Sequence, residues 1–125
     1  MKLLVTNSHS PQAYDIVRAL RPYADRIVVT MEGDNRLKAR LSPAANSRLI
    51  DRRYYTPAPI RDWLAGNVQA ENTAGEEAYI QRLLQICDLE KITAIYPSWD
   101  PHVYVLSKNL SRFRNVGVVI PIPDY

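Results

Sequence analysis

The chain has 125 residues, 46% of them hydrophobic, which is the size and composition of one folded domain and leaves out wholesale disorder. Its single cysteine, Cys87, excludes an intrachain disulfide and any multi-cysteine metal centre. A net charge of +3, from 16 basic and 13 acidic residues, is too mild to mark a nucleic-acid binder, and no nucleic-acid motif accompanies it.

The first residues, Met1 to Asn7, hold an apolar run too short for the core of a signal peptide. No stretch approaches the roughly 20 apolar residues that cross a bilayer. The expectation is a soluble, cytoplasmic protein with no membrane partner.

Lys2 to Thr6 is short, apolar and β-prone, the pattern of a buried parallel strand. Asn7-Ser8-His9 form a polar loop, and Ser10-Pro11 start a helix, with serine as N-cap and proline at the first helical position. Ala13, Ile16, Val17 and Leu20 then recur at i, i+3, i+4 and i+7, which is one helical face. Arg26 to Met31 is β-branched and predicts the second strand, ended by the turn residues Glu32-Gly33-Asp34-Asn35. Residues 36–50 keep no settled period. Arg53 to Thr56 predicts a short strand closed by Pro57 and Pro59, and residues 60–72 a loop with one helical turn near Trp63 and Leu64.

Thr73-Ala74-Gly75-Glu76 matches a capping box, and Ile80, Leu83, Leu84 and Cys87 give the following helix its apolar face. Cys87 therefore reads as a buried core thiol and not as a nucleophile. Ile92 to Pro97 predicts a strand, Ser98-Trp99 a loop, and Asp100-Pro101 another N-cap and proline. Val103, Leu106 and Leu110 face that third helix, and Val116 to Ile120 is the last strand before Pro121 and Pro123. The alternation predicts one α/β, Rossmann-like, three-layer domain over residues 1–125, with a parallel sheet of about five strands and about three main helices.

In an open parallel sheet, ligands sit beyond the carboxyl ends of the strands. That rule selects Asn7, Ser8, His9, Ser10 and Gln12 after the first strand, Glu32 after the second, and Ser98, Trp99, Asp100 and His102 after the fourth as substrate-binding candidates. Two of these loops open helices, whose free amides favour an anion. A second source of anion affinity is local: Arg36, Lys38, Arg40, Arg48, Arg52, Arg53 and Arg61 face Asp51 as the single acid between them. Within that stretch Arg48, Arg52 and Arg53 are the anion-binding candidates, against the plainer reading of a solvated basic face.

The first loop contains no glycine, so it is neither a dinucleotide fingerprint nor a P-loop. No serine–histidine–aspartate order, catalytic carboxylate pair or apolar-pocket lysine is present, so no catalytic residue is assigned. His9, His102 and Asp100 have a spacing unlike any tight metal motif, and no metal ligand is assigned either.

The order of these signals resembles the N-terminal, pre-ATP-grasp domain of the ATP-grasp superfamily, in the branch of the carbamoyl phosphate synthase large chain. The resemblance rests on Lys2-Leu3-Leu4-Val5-Thr6 with Ser10-Pro11-Gln12-Ala13, and on Ser47-Arg48-Leu49-Ile50-Asp51-Arg52-Arg53-Tyr54-Tyr55 with Pro57. Glu77 to Leu84, and Ile95-Tyr96-Pro97 with Asp100, complete it. Asn7 and His9 stand where glycine or small residues are frequent in that family.

The resemblance implies an ATP-dependent carboxylate–amine or carboxylate–thiol ligase working through an acyl phosphate. Its ATP and Mg2+ would be held by ATP-grasp domains expected after Tyr125 or on a companion chain. This domain, with no cofactor of its own, would supply one wall of the site for a small carboxylate or amine and be inactive alone. The alternatives are a stand-alone small-anion-binding or regulatory module, or an oligomerisation domain forming a homodimer.

Overall fold

The protein is described by a computed structural model over residues 1–33, 44, 47–57 and 73–123. In chain order the elements are β1 (Lys2–Val5), α1 (Pro11–Leu20), β2 (Arg26–Glu32), β3 (Arg52–Thr56), α2 (Thr73–Glu90), β4 (Ala94–Tyr96), α3 (Asp100–Ser107) and α4 (Leu110–Arg114). The strands form one parallel sheet in the order β3-β2-β1-β4. The α/β class, the parallel sheet and the three main helices read from the sequence are all present.

Strand alternation divides the core into two layers. Leu3, Val5, Ile27, Val29 and Met31 pack on one side with Ala13 and Val17 of α1. Leu4, Val28 and Ile95 point the other way, against Tyr79, Ile80, Leu83 and Ile86 of α2 and Leu106 and Phe113 of α3 and α4. Tyr54 and Tyr55 split between the two faces, as adjacent strand residues must. Cys87 is buried on the α2 side, and burial pushes its thiol up to about 12, so it is an inert core residue.

Helix starts follow the chemistry of their first residues. The Ala13 amide donates to Ser10 Oγ at 3.1 Å, which makes Ser10 the expected N-cap of α1. The start of α3 differs by one residue from expectation. Trp99, and not Asp100, is the N-cap, and Asp100 lies in the first turn, where its charge complements the helix dipole without capping an amide. The shift is possible because Pro101 fits the second helical position as readily as the first. At α2, the Glu76 carboxylate accepts from Lys108 Nζ at 3.0 Å to each oxygen. The Thr73 side chain of the capping box lies outside the described residues, as do Asp34, Asn35, Pro59, Trp63 and Leu64.

The expected fifth strand is reduced to one parallel bridge, Ala94 to Val119. Its first residues are spent on closing α4: the amides of Val116 and Val118 donate to Phe113 O, and Gly117 takes a left-handed φ of 81°. Beyond Ile120, Pro121 has no amide to continue the ladder, and the Ile122 amide turns back to Ile120 O.

β2 ends on Gly33, whose φ of 72° lies in the left-handed region and whose amide donates to Thr56 O at 2.9 Å. A Cβ there meets nothing within 4 Å, so the conflict is purely conformational. Gly33→Ala is expected to lower stability by about 1 kcal/mol, read as a lower denaturant midpoint with an unchanged slope.

Candidate functional site

The sheet order reverses beside β1. The chain leaves β1 through α1 to reach β2 on one flank, and returns through α2 to place β4 on the other. The two loops that leave β1 and β4 therefore diverge onto opposite faces and open a crevice between them, which is where such sheets bind ligands.

A relay of hydroxyls joins the two loops. Ser10 Oγ donates to Ser98 Oγ at 2.9 Å, and Ser98 Oγ donates in turn to Thr6 O at 2.5 Å. Asn7 O lies 3.2 Å from the same Ser98 hydroxyl, and Asn7 holds a left-handed φ of 50°, a conformation asparagine tolerates. The Ser98 amide reaches back to Thr6 Oγ1 at 3.4 Å. One serine side chain thus ties β4's loop to two carbonyls of β1's loop and to the cap of α1. Ser98→Ala removes that tie. It is expected to cost about 1 kcal/mol in stability and to raise amide hydrogen exchange selectively at residues 7–10 and 97–100.

Over this latch lies a cleft of about 520 Å³, within the size range of small-molecule sites. Gln12, Asp15 and Ile16 of α1 form one wall. Pro97, Ser98, Trp99, Asp100 and Val103 form the other. Among the described residues the lining therefore carries two carboxylates and no lysine, arginine or histidine. Such a surface suits a cation, with Trp99 offering an aromatic face beside the two acids.

Ser8 is buried and its amide donates to Thr30 O at 3.0 Å, which seats the first loop on the end of β2. His9 is half-buried in the turn before Ser10. Glu32 and His102 meet each other: Nε2 of the buried His102 lies 2.6 Å from Glu32 Oε1. The His102 ring packs 5.1 Å from that of Tyr79 and edge-on to Trp99 at 5.4 Å. Burial pushes the Tyr79 hydroxyl well above its ordinary value, with the nearby Glu32 charge adding to the effect. Glu32, Tyr79 and His102 thus brace α3 against β2 and α2 and do not line the cleft.

Arg48, Arg52 and Arg53 stand apart from that rim. Arg52 and Arg53 open β3 and Arg48 precedes it, whereas the cleft lies past the carboxyl ends of β1 and β4. The Arg52 guanidinium lies over the Tyr54 ring at 4.9 Å. Arg36, Lys38, Arg40 and Arg61 lie outside the described residues. Asp15, which sequence reasoning did not single out, lines the cleft from the second turn of α1. Its signal was its position three residues after Gln12, on the same helical flank.

No curated protein sequence matches the chain. Residues 41–121, about two thirds of it, match the family described as PylC-like, N-terminal domain. The chain belongs to that family. The PylC-like N-terminal domain is a pre-ATP-grasp domain of the ATP-grasp-related family, in agreement with the resemblance drawn from the motifs. The match runs from before β3 through α2, β4 and α3 to the Val119 bridge, so it includes the β4 wall of the cleft and leaves out the α1 wall.

Among the described residues of the PylC-like domain no group of three or more His, Cys, Asp or Glu is placed to hold a metal, and the loop after β1 has no glycine to approach a phosphate chain closely. Nor is any helix among the described residues long and apolar enough to cross a membrane.

Proposed function

We propose that this domain is the substrate-side domain of an ATP-dependent carboxylate–amine ligase, and that its cleft receives the amine-bearing substrate. The observation that supports this reading is the acid-lined crevice between β1 and β4, which carries no base among the described residues. Asp15 and Asp100 attract an ammonium group, Trp99 covers its aliphatic portion, and the Ser98 latch holds both walls at a fixed separation. Formation of the acyl phosphate belongs to ATP-grasp domains on the same polypeptide or a companion chain. Membership of the PylC-like N-terminal family favours this over a stand-alone module.

The test is ADP release by the protein in which this domain is joined to, or mixed with, its ATP-grasp domains. Asp15→Asn and Asp100→Asn are expected to raise KM for the amine while leaving KM for ATP unchanged. An unchanged amine KM removes the reading. The isolated 125-residue chain is expected to show no ATP turnover.

A further inference from the structure

The exposed apolar side chains of the protein gather at one end. Among the described residues, the large hydrophobics left in water are Met1, Tyr23, Leu89, Val116 and Val119. Met1 precedes β1, Tyr23 precedes β2, and Leu89 and Val116 lie on the stretches leading to β4 and to the Val119 bridge. All of them are at the amino-terminal end of the sheet, opposite the acidic cleft.

A larger cavity, about 640 Å³, opens at this same end between the last turns of α2 and the turn after α4. Leu84, Cys87, Ile92 and Val118 line it, and Val116, which is 60% exposed, stands at its lip. Asp88 and Lys91 share that lip. They pair only loosely, 3.6 Å apart, with side chains 85% and 71% exposed. An apolar projection, an apolar recess and both signs of charge thus lie side by side on one surface. A two-fold contact between identical chains requires this self-complementarity, because the same patch must serve as both partners.

We propose that the amino-terminal end of the sheet is an interface through which two copies of this chain pair about a two-fold axis. Val116 of each enters the cavity of the other, and Asp88 faces Lys91 of the partner subunit. A small ligand in the cavity leaves Leu89 and Val119, which do not line it, in water, so it accounts for less of the surface. Strand addition at the adjacent edge is opposed by Pro121 and Pro123 and by the inward turn of the Ile122 amide onto Ile120 O. The inference does not depend on the ligase reading.

Sedimentation of the chain over a concentration series tests it. The expected result is a rise from one to two chain masses, with Val116→Glu remaining monomeric where the parent is dimeric. Asp88→Lys and Lys91→Asp are each expected to weaken association, and the double variant, with the two charges exchanged, to restore it. If Val116→Glu proves misfolded by circular dichroism, the charge series alone decides. A chain monomeric throughout, or a dimer indifferent to the charge reversals, overturns the proposal.

Discussion

Replacing Glu90 with alanine is expected to lower the stability of the domain by about 2–3 kcal/mol, or roughly 8 °C in Tm. Glu90 ends α2 and is almost wholly buried, with 8% of its side chain exposed. Its Oε2 accepts from Arg26 Nε at 2.5 Å, and its Oε1 accepts from Tyr54 Oη at 2.6 Å and Arg26 Nη2 at 3.3 Å. Arg52 and Arg82 lie over the Tyr54 ring, so a single carboxylate organises the meeting of α2, β2 and β3. Removing it leaves a guanidinium and a phenol without their shared acceptor. The cost stays below that of a fully buried pair because the Arg26 side chain is 37% exposed and can turn to water.

The pH dependence of this cluster has a definite sign. The hydrogen bond from Arg26 holds the Glu90 carboxyl below its ordinary value of 4.5, with Tyr54 assisting against the opposing effect of burial. A carboxylate whose folded pKa is depressed contributes stability above its unfolded pKa and loses it as pH falls through the folded one. The gap in unfolding free energy between the parent and Glu90→Gln is therefore expected to be full at neutral pH and to narrow below 4.5. Glu90→Ala and Tyr54→Phe are expected to be non-additive, since each removes the same contact.

Neutralising both acids of the cleft is the second large effect. Asp15 approaches from α1 and Asp100 from the first turn of α3, and neither has a salt-bridge partner among the described residues. With each contact to an ammonium contributing about 1 kcal/mol in a solvent-open cleft, Asp15→Asn with Asp100→Asn is expected to weaken amine binding about 10- to 30-fold. Raised ionic strength should shrink the difference, because such contacts are screened. Melting temperatures of the variants are expected to stay near the parent, since both side chains are exposed.

Much of this arrangement was legible in the sequence where the information is local. The first strand, the Ser10-Pro11 start and the spacing of Ala13, Val17 and Leu20 reappear as β1 and α1. The rule that ligands gather past the carboxyl ends of parallel strands pointed to the two loops that Ser98 joins. What the sequence did not disclose depends on distance along the chain. Arg26 and Glu90 are 64 positions apart, and nothing in their spacing marks them as partners. The same holds for Glu32 and His102, which bond each other across 70 positions.

Two local expectations shifted for physical reasons that act at the same scale. Val116 to Ile120 has the composition of a strand, yet Gly117 and the amides around it are taken by the turn that closes α4, which leaves only Val119 to pair. Asp15 carries no local signal of a site, because an acid on the polar flank of an amphipathic helix ordinarily faces solvent. Only the approach of β4's loop turns that flank into the wall of a cleft.

Amide chemical-shift mapping of the 15N-labelled chain during titration with a primary alkyl diamine, and separately with inorganic phosphate, decides whether the cleft takes an ammonium group. Diamine-dependent shifts are expected to concentrate at residues 7–16 and 97–103 and to be lost in Asp15→Asn with Asp100→Asn. Shifts there caused by phosphate and not by the diamine, or diamine shifts confined to the opposite end of the sheet, would contradict an ammonium site in the cleft.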